Sequence, residues 1–397
     1  MRRVQLFVCL LALLLPANAA AQSLFATHGL GVPIEGVDAR GRALGVNGVG
    51  LLGLSTSMLN PAEASGMLRR GITATFQPWS ASVEFNGEEG EIGGTRFPLI
   101  VALYPVRRFT FTLGYSGLLD QSWAVFAEGK QALGTDSIET LDLVRSVGGI
   151  GELKLGVAYL IDEHFSLGAA VGLHTGSIDR AVTRQFPDTS LDLRPFETRS
   201  EWDYSGPLAS IGVRWDPNGT VRAGASITWS GTLDAEPKTG ATTSHSYDMP
   251  LRIAAGISAR VSPRLMLAAS TTMSSYSGSN SYVAPGTTTA TVADRAFQVG
   301  GGIEWSELRK GDRIFPLRLG FRMAKLPFRN QNEEQAKEWA ASGGLGLRLV
   351  EDDFGPLAVA DLGFERGKRD GWKSPVAGDG LSENFWRFTA SISLFGR

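Results

Sequence analysis

An all-β fold, a transmembrane antiparallel β-barrel of about fourteen strands with an N-terminal lumenal hatch, is what this 397-residue chain predicts. Three observations carry that reading. Alternating apolar and polar runs of strand length recur from about Gly71 to the C-terminus. The connections between them are alternately tight and loose, the loose ones roughly ten to twenty residues long, as in barrels with short turns at one end and long loops at the other. The 49 glycines and the absence of helical periodicity favour one barrel over several soluble domains.

The N-terminus fits export. Arg2 and Arg3 precede the apolar run Leu6 to Leu15, followed by Pro16 and Ala17-Asn18-Ala19-Ala20-Ala21, which reads as a signal peptide over residues 1–21. No later run approaches the 18 or so apolar residues of a membrane helix. The sole cysteine, Cys9, lies in the signal core, so disulfides and thiolate metal sites are excluded from the mature chain. A formal net charge of −2, made more negative by loss of the two arginines, leaves no basic footprint for nucleic acid.

Residues 22–68 do not alternate. They are rich in glycine, and in Asn60-Pro61-Ala62-Glu63 the asparagine suits a helix cap, the proline a first turn and the glutamate a capping box. Such a segment is suited to fold back into the lumen as a hatch, and residues 69–397 then form the barrel.

The strands follow in order. Phe109, Phe111, Leu113 and Tyr115 interleave with Thr110, Thr112, Gly114 and Ser116, and a strand sends these two sets to opposite faces. The same alternation marks Leu153 to Tyr159, Phe165 to His174, Val221 to Trp229, Leu251 to Val261, Leu265 to Met273, Phe315 to Met323, Leu345 to Leu349 and Trp386 to Leu394. In a barrel the apolar face meets lipid and the small polar face lines the lumen. Tight turns fall at Pro105-Val106-Arg107, Ile161-Asp162-Glu163, Asp216 to Gly219, Val261-Ser262-Pro263 and Glu351-Asp352-Asp353. Thr239 to Tyr247 and Tyr276 to Ala290 read as polar loops. Trp79, Trp123, Trp202, Tyr204, Trp229, Tyr247, Tyr276, Trp305, Trp339 and Trp386 cluster toward run ends, as interfacial girdles do. The last strand, Phe385 to Phe395, reads as the recognition strand for the barrel-assembly machinery.

On the lumen phase lies a row of cations, Arg214, Arg222, Arg252, Arg318, Arg322 and Arg348, with Lys154 on an earlier strand. Guanidinium groups suit a carboxylate head group. They equally suit hatch and wall acids such as Glu35, Asp38, Glu63 and Glu304, because inward charges in a plugged barrel need partners. Gln77-Pro78-Trp79 in the first barrel strand is a candidate lateral opening, since Pro78 removes a ladder hydrogen bond. Enzymatic readings are weak. Of His28, His164, His174 and His245 only His174 is placed for acid–base work, and no G-x-S-x-G elbow accompanies it. The histidines are too scattered for a metal site, and Gly45 to Gly50 lacks the βαβ setting of a phosphate loop. No enzyme activity, cofactor or metal is expected.

Ala39 to Gly48 followed by Asn60-Pro61-Ala62 resembles the N-terminal hatch of the FadL outer-membrane transporters. Leu155 to Tyr159 with Phe165 to Gly168, and Met249-Pro250 through Ile253 to Ile257 to Leu265 to Ser270, extend the resemblance over nearly all the mature chain. Ser55-Thr56-Ser57-Met58 departs from the family, which has acids and an aromatic there. The resemblance implies a monomeric outer-membrane channel for passive uptake of a hydrophobic small molecule, fatty acid or hydrocarbon-like. The ligand would pass from an outer groove to a pocket near the hatch and leave sideways through a gap at a kinked strand. The alternative it leaves open is a docking or shuttle role in protein secretion.

Overall fold

The computed structural model describes residues 23–27, 30–85, 87–133, 136–187, 193–275, 295–306, 309–310, 313–329, 334–353, 355–373 and 380–396. The expected signal peptide, His28, Asp353's turn neighbour Phe354, and the loop Tyr276 to Ala290 lie outside them.

Fourteen antiparallel strands close into a barrel. They are β1 (Gly71–Phe85), β2 (Glu88–Val106), β3 (Phe109–Asp120 and Trp123–Leu133), β4 (Asp136–Leu160), β5 (Phe165–Gln185), β6 (Phe196–Trp215) and β7 (Val221–Ser230 and Thr232–Pro237). The second half comprises β8 (His245–Asp248 and Leu251–Ser262), β9 (Leu265–Ser275), β10 (Arg295–Trp305), β11 (Leu317–Arg329), β12 (Gln335–Asp352), β13 (Gly355–Lys373) and β14 (Gly380–Phe395). Each strand pairs with its sequence neighbours, and β1 pairs with β14 from Gly71↔Phe395 to Phe85↔Leu381, so the first and last strands close the cylinder.

The alternation sets the two faces. Leu167, Val171, Leu267 and Leu319 are exposed on the outside, while Arg318 and Arg322 are buried inside. Trp229, Trp305, Trp339 and Trp386 also stand on the outer face. Trp79, Trp123, Tyr204 and Tyr247 do not, and this corrects their expected place in the girdles: all four are buried, Tyr204 and Tyr247 stacked on one another. A position near a run end fixes height along the barrel, and the strand phase at those four positions points inward.

Two expectations about connections also change. Loops at one end are shorter than expected because the strands continue past the apolar band, as in the two-residue gap between β3 and β4 and the lengths of β4 to β6. At the other end the turns are tight except between β10 and β11, where a small hairpin, Arg309–Lys310 with Arg313–Ile314, intervenes.

The N-terminal segment lies within the lumen. Asp38 caps the short helix α1 (Ala39–Ala43), its Oδ1 accepting from Gly41 N at 2.8 Å. Asn60 caps the 3₁₀ turn Pro61–Ala64, its Oδ1 accepting from Ala62 N at 3.0 Å. Leu44, Val46, Leu51 and Leu52 pack on Met266 and Ala268 of β9. The wall is glycine where this segment touches it: a Cβ at Gly320 of β11 would stand 2.2 Å from the Leu44 carbonyl carbon, and one at Gly256 of β8 would stand 2.1 Å from Val49 O.

Those contacts are backbone on both sides, so no side chain can move aside. Gly320→Val should leave the barrel folded, by heat-modifiable mobility on gels, while making residues 39–64 accessible to protease. Overpacking of this kind costs about 1–3 kcal/mol or more.

Candidate ligand pocket and hatch contacts

Charge pairing holds the N-terminal segment to one side of the wall. Arg40 Nε donates to Glu304 Oε2 at 2.8 Å, and Arg318 donates to the same oxygen at 2.8 Å and to Asp361 at 2.6 Å. Arg42 lies 2.7 Å from Glu35 and 3.6 Å from Glu365. Arg322 reaches Glu365 at 2.8 Å, Glu338 at 2.6 Å and Glu35 at 3.4 Å. Arg369 joins Glu338 to Glu383, and Arg387 lies 3.5 Å from Glu338. Six guanidinium groups thus meet six carboxylates in a nearly dry lattice. Every charge has an opposite neighbour, which offsets the cost of desolvation.

The other sequence-selected cations sit elsewhere. Arg214 donates to the carbonyls of Glu63 and Ser65, and Arg222 to Leu51 O at 3.1 Å and Asp216 at 2.7 Å. Arg252 donates to Glu152 at 2.6 Å, and Lys154 shares that carboxylate at 2.7 Å. Arg348 departs from its expected lumenal place. The ladder shifts register between Arg348 and Val350, which brings Arg348 to the rim, half exposed and 3.0 Å from Glu351. Asn60 Nδ2 donates to Val213 O and to Glu63 Oε1, both at 3.0 Å, with Pro61 and Ala62 buried beside it.

Several partners escaped the sequence reading: Arg40, Arg42, Glu338, Asp361, Glu365, Arg369, Glu383 and Arg387. The signal for the wall members was present, since Glu338, Arg369 and Glu383 share the inward phase of β12 to β14.

Among the described residues the longest interruption of the wall lies between β2 and β3. The β2–β3 ladder runs from Val106↔Phe109 to Leu99↔Ser116 and stops, while β3 itself breaks at Gln121-Ser122. Above that point the N-terminal segment takes the vacant edge. Val32 and Pro33 pair with Asp120 and Leu119, and Ile34 N donates to Leu118 O at 2.7 Å. Arg96 of β2 spans the interruption to Asp120 at 2.7 Å, its guanidinium over the Trp79 ring. Pro78 stands one strand away, opposite Thr95 of β2. Gln77 and Pro78 have no ladder partner on β14, though Gln77 Nε2 donates to Thr389 at 2.9 Å and pairing resumes at Trp79↔Arg387.

Beside the interruption a cavity of about 1320 Å³, measured with its open mouth, occupies the lumen. Its walls are largely apolar: Leu30, Ile34, Val37, Met58, Leu118, Leu119, Met249, Phe297 and Leu326, with Glu152, His174, Ser230 and Arg252 at one side. A smaller cavity of about 450 Å³ lies beyond Met58, which borders both.

No family model matches the chain, and no curated protein matches its sequence. Solved structures do. A FadL homologue of Pseudomonas aeruginosa is 15% identical with a TM-score of 0.62, over 92% of this chain and 99% of that one. The Ralstonia pickettii toluene transporter TbuX is 14% identical with a TM-score of 0.57 over the same shares. The Pseudomonas putida toluene transporter TodX is 13% identical with a TM-score of 0.56, again over 92% and 99%. The chain therefore has the fold of these channels.

Two outcomes test the hatch contacts. Glu304→Gln leaves Arg40 and Arg318 short of a carboxylate and should destabilise by about 3–5 kcal/mol, read as a lowered unfolding midpoint in denaturant. Burial raises the Glu63 carboxyl above its ordinary 4.5, against the lowering by the Gly50 N–H and by Arg222 and Arg214. The folded chain therefore holds this proton to higher pH than the unfolded chain. The resulting stability is complete below the ordinary value and declines as pH rises through the folded one. Protease protection of residues 39–64 should fall across that window, and Glu63→Gln should flatten the profile.

Proposed function

We propose that the chain is an outer-membrane channel for passive uptake of a hydrophobic small molecule, fatty acid or hydrocarbon-like, with the turn end in the periplasm and the loop end outside. The observation that carries this reading is the apolar cavity abutting an interruption of the wall. A solute in that cavity borders Ile34, Gly117 and Leu118, the residues that edge the β2–β3 gap. Along most of the rest of the described wall a ladder of backbone hydrogen bonds bars sideways exit, with lapses of only two or three residues at Gln77-Pro78 and after Lys325. Here only a paired N-terminal strand and the Arg96–Asp120 ion pair do so.

The exit is accordingly assigned to the β2–β3 gap rather than to Pro78, where only Gln77 and Pro78 miss the β14 ladder and pairing resumes at Trp79↔Arg387. Asn60, Pro61 and Ala62 act by seating the hatch, and Arg214 and Arg222 by holding its backbone. Of the sequence-selected arginines Arg252 borders the cavity and is available to a ligand's head group. The shared fold with a FadL homologue and two toluene transporters supports the substrate class. No feature of the described surface favours a docking role in secretion.

Uptake of radiolabelled oleate and toluene by cells expressing the chain is the direct test. Leu118→Asp, which puts a charge in the apolar wall, should reduce uptake about tenfold or more with insertion unchanged, since an unpaired charge there opposes an apolar solute. Asp120→Asn removes one half of the ion pair across the gap and should raise uptake. Uptake no greater than in cells lacking the protein would overturn the proposal.

A further inference from the structure

The outer surface carries a charge pattern that the lumen does not explain. Lys325 of β11 and Lys337 of β12 are directly opposite one another on the outward phase, and both are exposed. Like charges so placed are destabilising unless an anion lies between them. On β13 the same face adds Lys368, opposite Trp339, and Arg366, opposite Trp386. The Arg366 guanidinium is held 4.4 Å from the Trp386 ring centroid. Among the described residues, Asp370 is the one carboxylate bonded to this group, opposite Lys337 and 2.7 Å from Lys368, so one carboxylate faces four cations.

The height of the cluster matters as much as its charge. Met323 and Trp339, opposite one another and exposed, lie two residues nearer the turn end than Lys325 and Lys337. Lys325 and Lys337 therefore stand where the outward apolar band ends on the loop side, while Lys368 and Arg366 lie level with Trp339 and Trp386, tryptophans of the kind that mark a membrane–water boundary. Three adjacent strands span roughly 10 Å, the scale of one lipid head group. In the same register row β1 and β2 present Glu84 opposite Glu89, so the sign of the surface charge reverses within a few strands.

We infer that Lys325, Lys337, Arg366 and Lys368 form a binding site for the phosphorylated head group of an outer-leaflet glycolipid, of the lipid A class. Ammonium and guanidinium groups at the boundary supply charge-assisted bonds to phosphate, while the apolar band below receives the acyl chains. The inference rests on the outer-membrane reading with the loop end outside.

The full chain reconstituted in phosphatidylcholine nanodiscs doped with bisphosphorylated lipid A tests it, with the lipid A retained on the protein counted by native mass spectrometry. Wild type should retain at least about tenfold more than K325Q/K337Q/R366Q/K368Q, since several cations contribute together. With dephosphorylated lipid A on unaltered protein the preference should vanish, a control that needs no variant to fold. Equal retention by inserted wild type and variant, or indifference to the phosphates, would overturn the site alone. A wild-type chain that fails to insert and stays open to protease would overturn the membrane reading on which the site depends.

Discussion

The lattice of guanidinium and carboxylate groups between hatch and wall is the interaction on which the remaining architecture depends. A barrel of fourteen strands has a lumen too wide for its own side chains to fill, so something else must occupy it. The hatch buries apolar side chains against the wall in four clusters, around Phe25 and Val32, around Leu30, at Leu44 to Leu52 and around Met58. Its position is fixed by Arg40, Arg42 and Glu35 entering a wall network that has a complementary set of charges. Such a network gives little net stability compared with apolar packing, yet removing a member strips a buried charge of a partner, as Glu304 is for Arg40. It fixes where the hatch sits more firmly than how tightly.

That asymmetry divides the lumen. The ionic lattice faces β10 to β14, whereas the cavity reaches from β3, beside the interrupted ladder, across to β8 to β11 at the loop end. On the lattice side the hatch is bonded through charged side chains. On the cavity side it is held by a two-residue strand pairing, a backbone bond at Ile34 and the apolar packing of Leu30 and Val32 on the wall. The hatch is thus pinned by charge on one side and by backbone pairing and apolar contact on the other.

Strand phase was legible because alternation is local: whether Leu319 or Arg318 faces inward needs only its neighbours. Partnership was not, because Arg40 meeting Glu304 depends on how residues 264 positions apart are brought together. Arg348 was misplaced by an irregularity in the ladder that alternation cannot register. Trp79, Trp123, Tyr204 and Tyr247 were misplaced because nearness to a strand end conveys height and not face. The wall interruption was sought at Pro78, where two residues do miss the β14 ladder, while the longer one, beyond Leu99↔Ser116, arises from the way two strands diverge and is announced by no single residue.

The hatch is made first and fastened last. Ser23 donates to Glu383 across 360 positions, and Ala39 N donates to Ser391 across 352, both partners lying on the final strand. The same strand closes the cylinder against β1, so the seam and the plug's anchorage become available in one event at the end of synthesis. Contacts of such sequence separation form late and carry a large loop-closure cost. Until then the N-terminal segment and the inward charges of β12 and β13 remain in water, where their ionisation costs nothing. Loss of water from the lattice is thereby deferred until all its members are present, and a chain cut short of its last strand lacks both a sealed wall and a fastened plug.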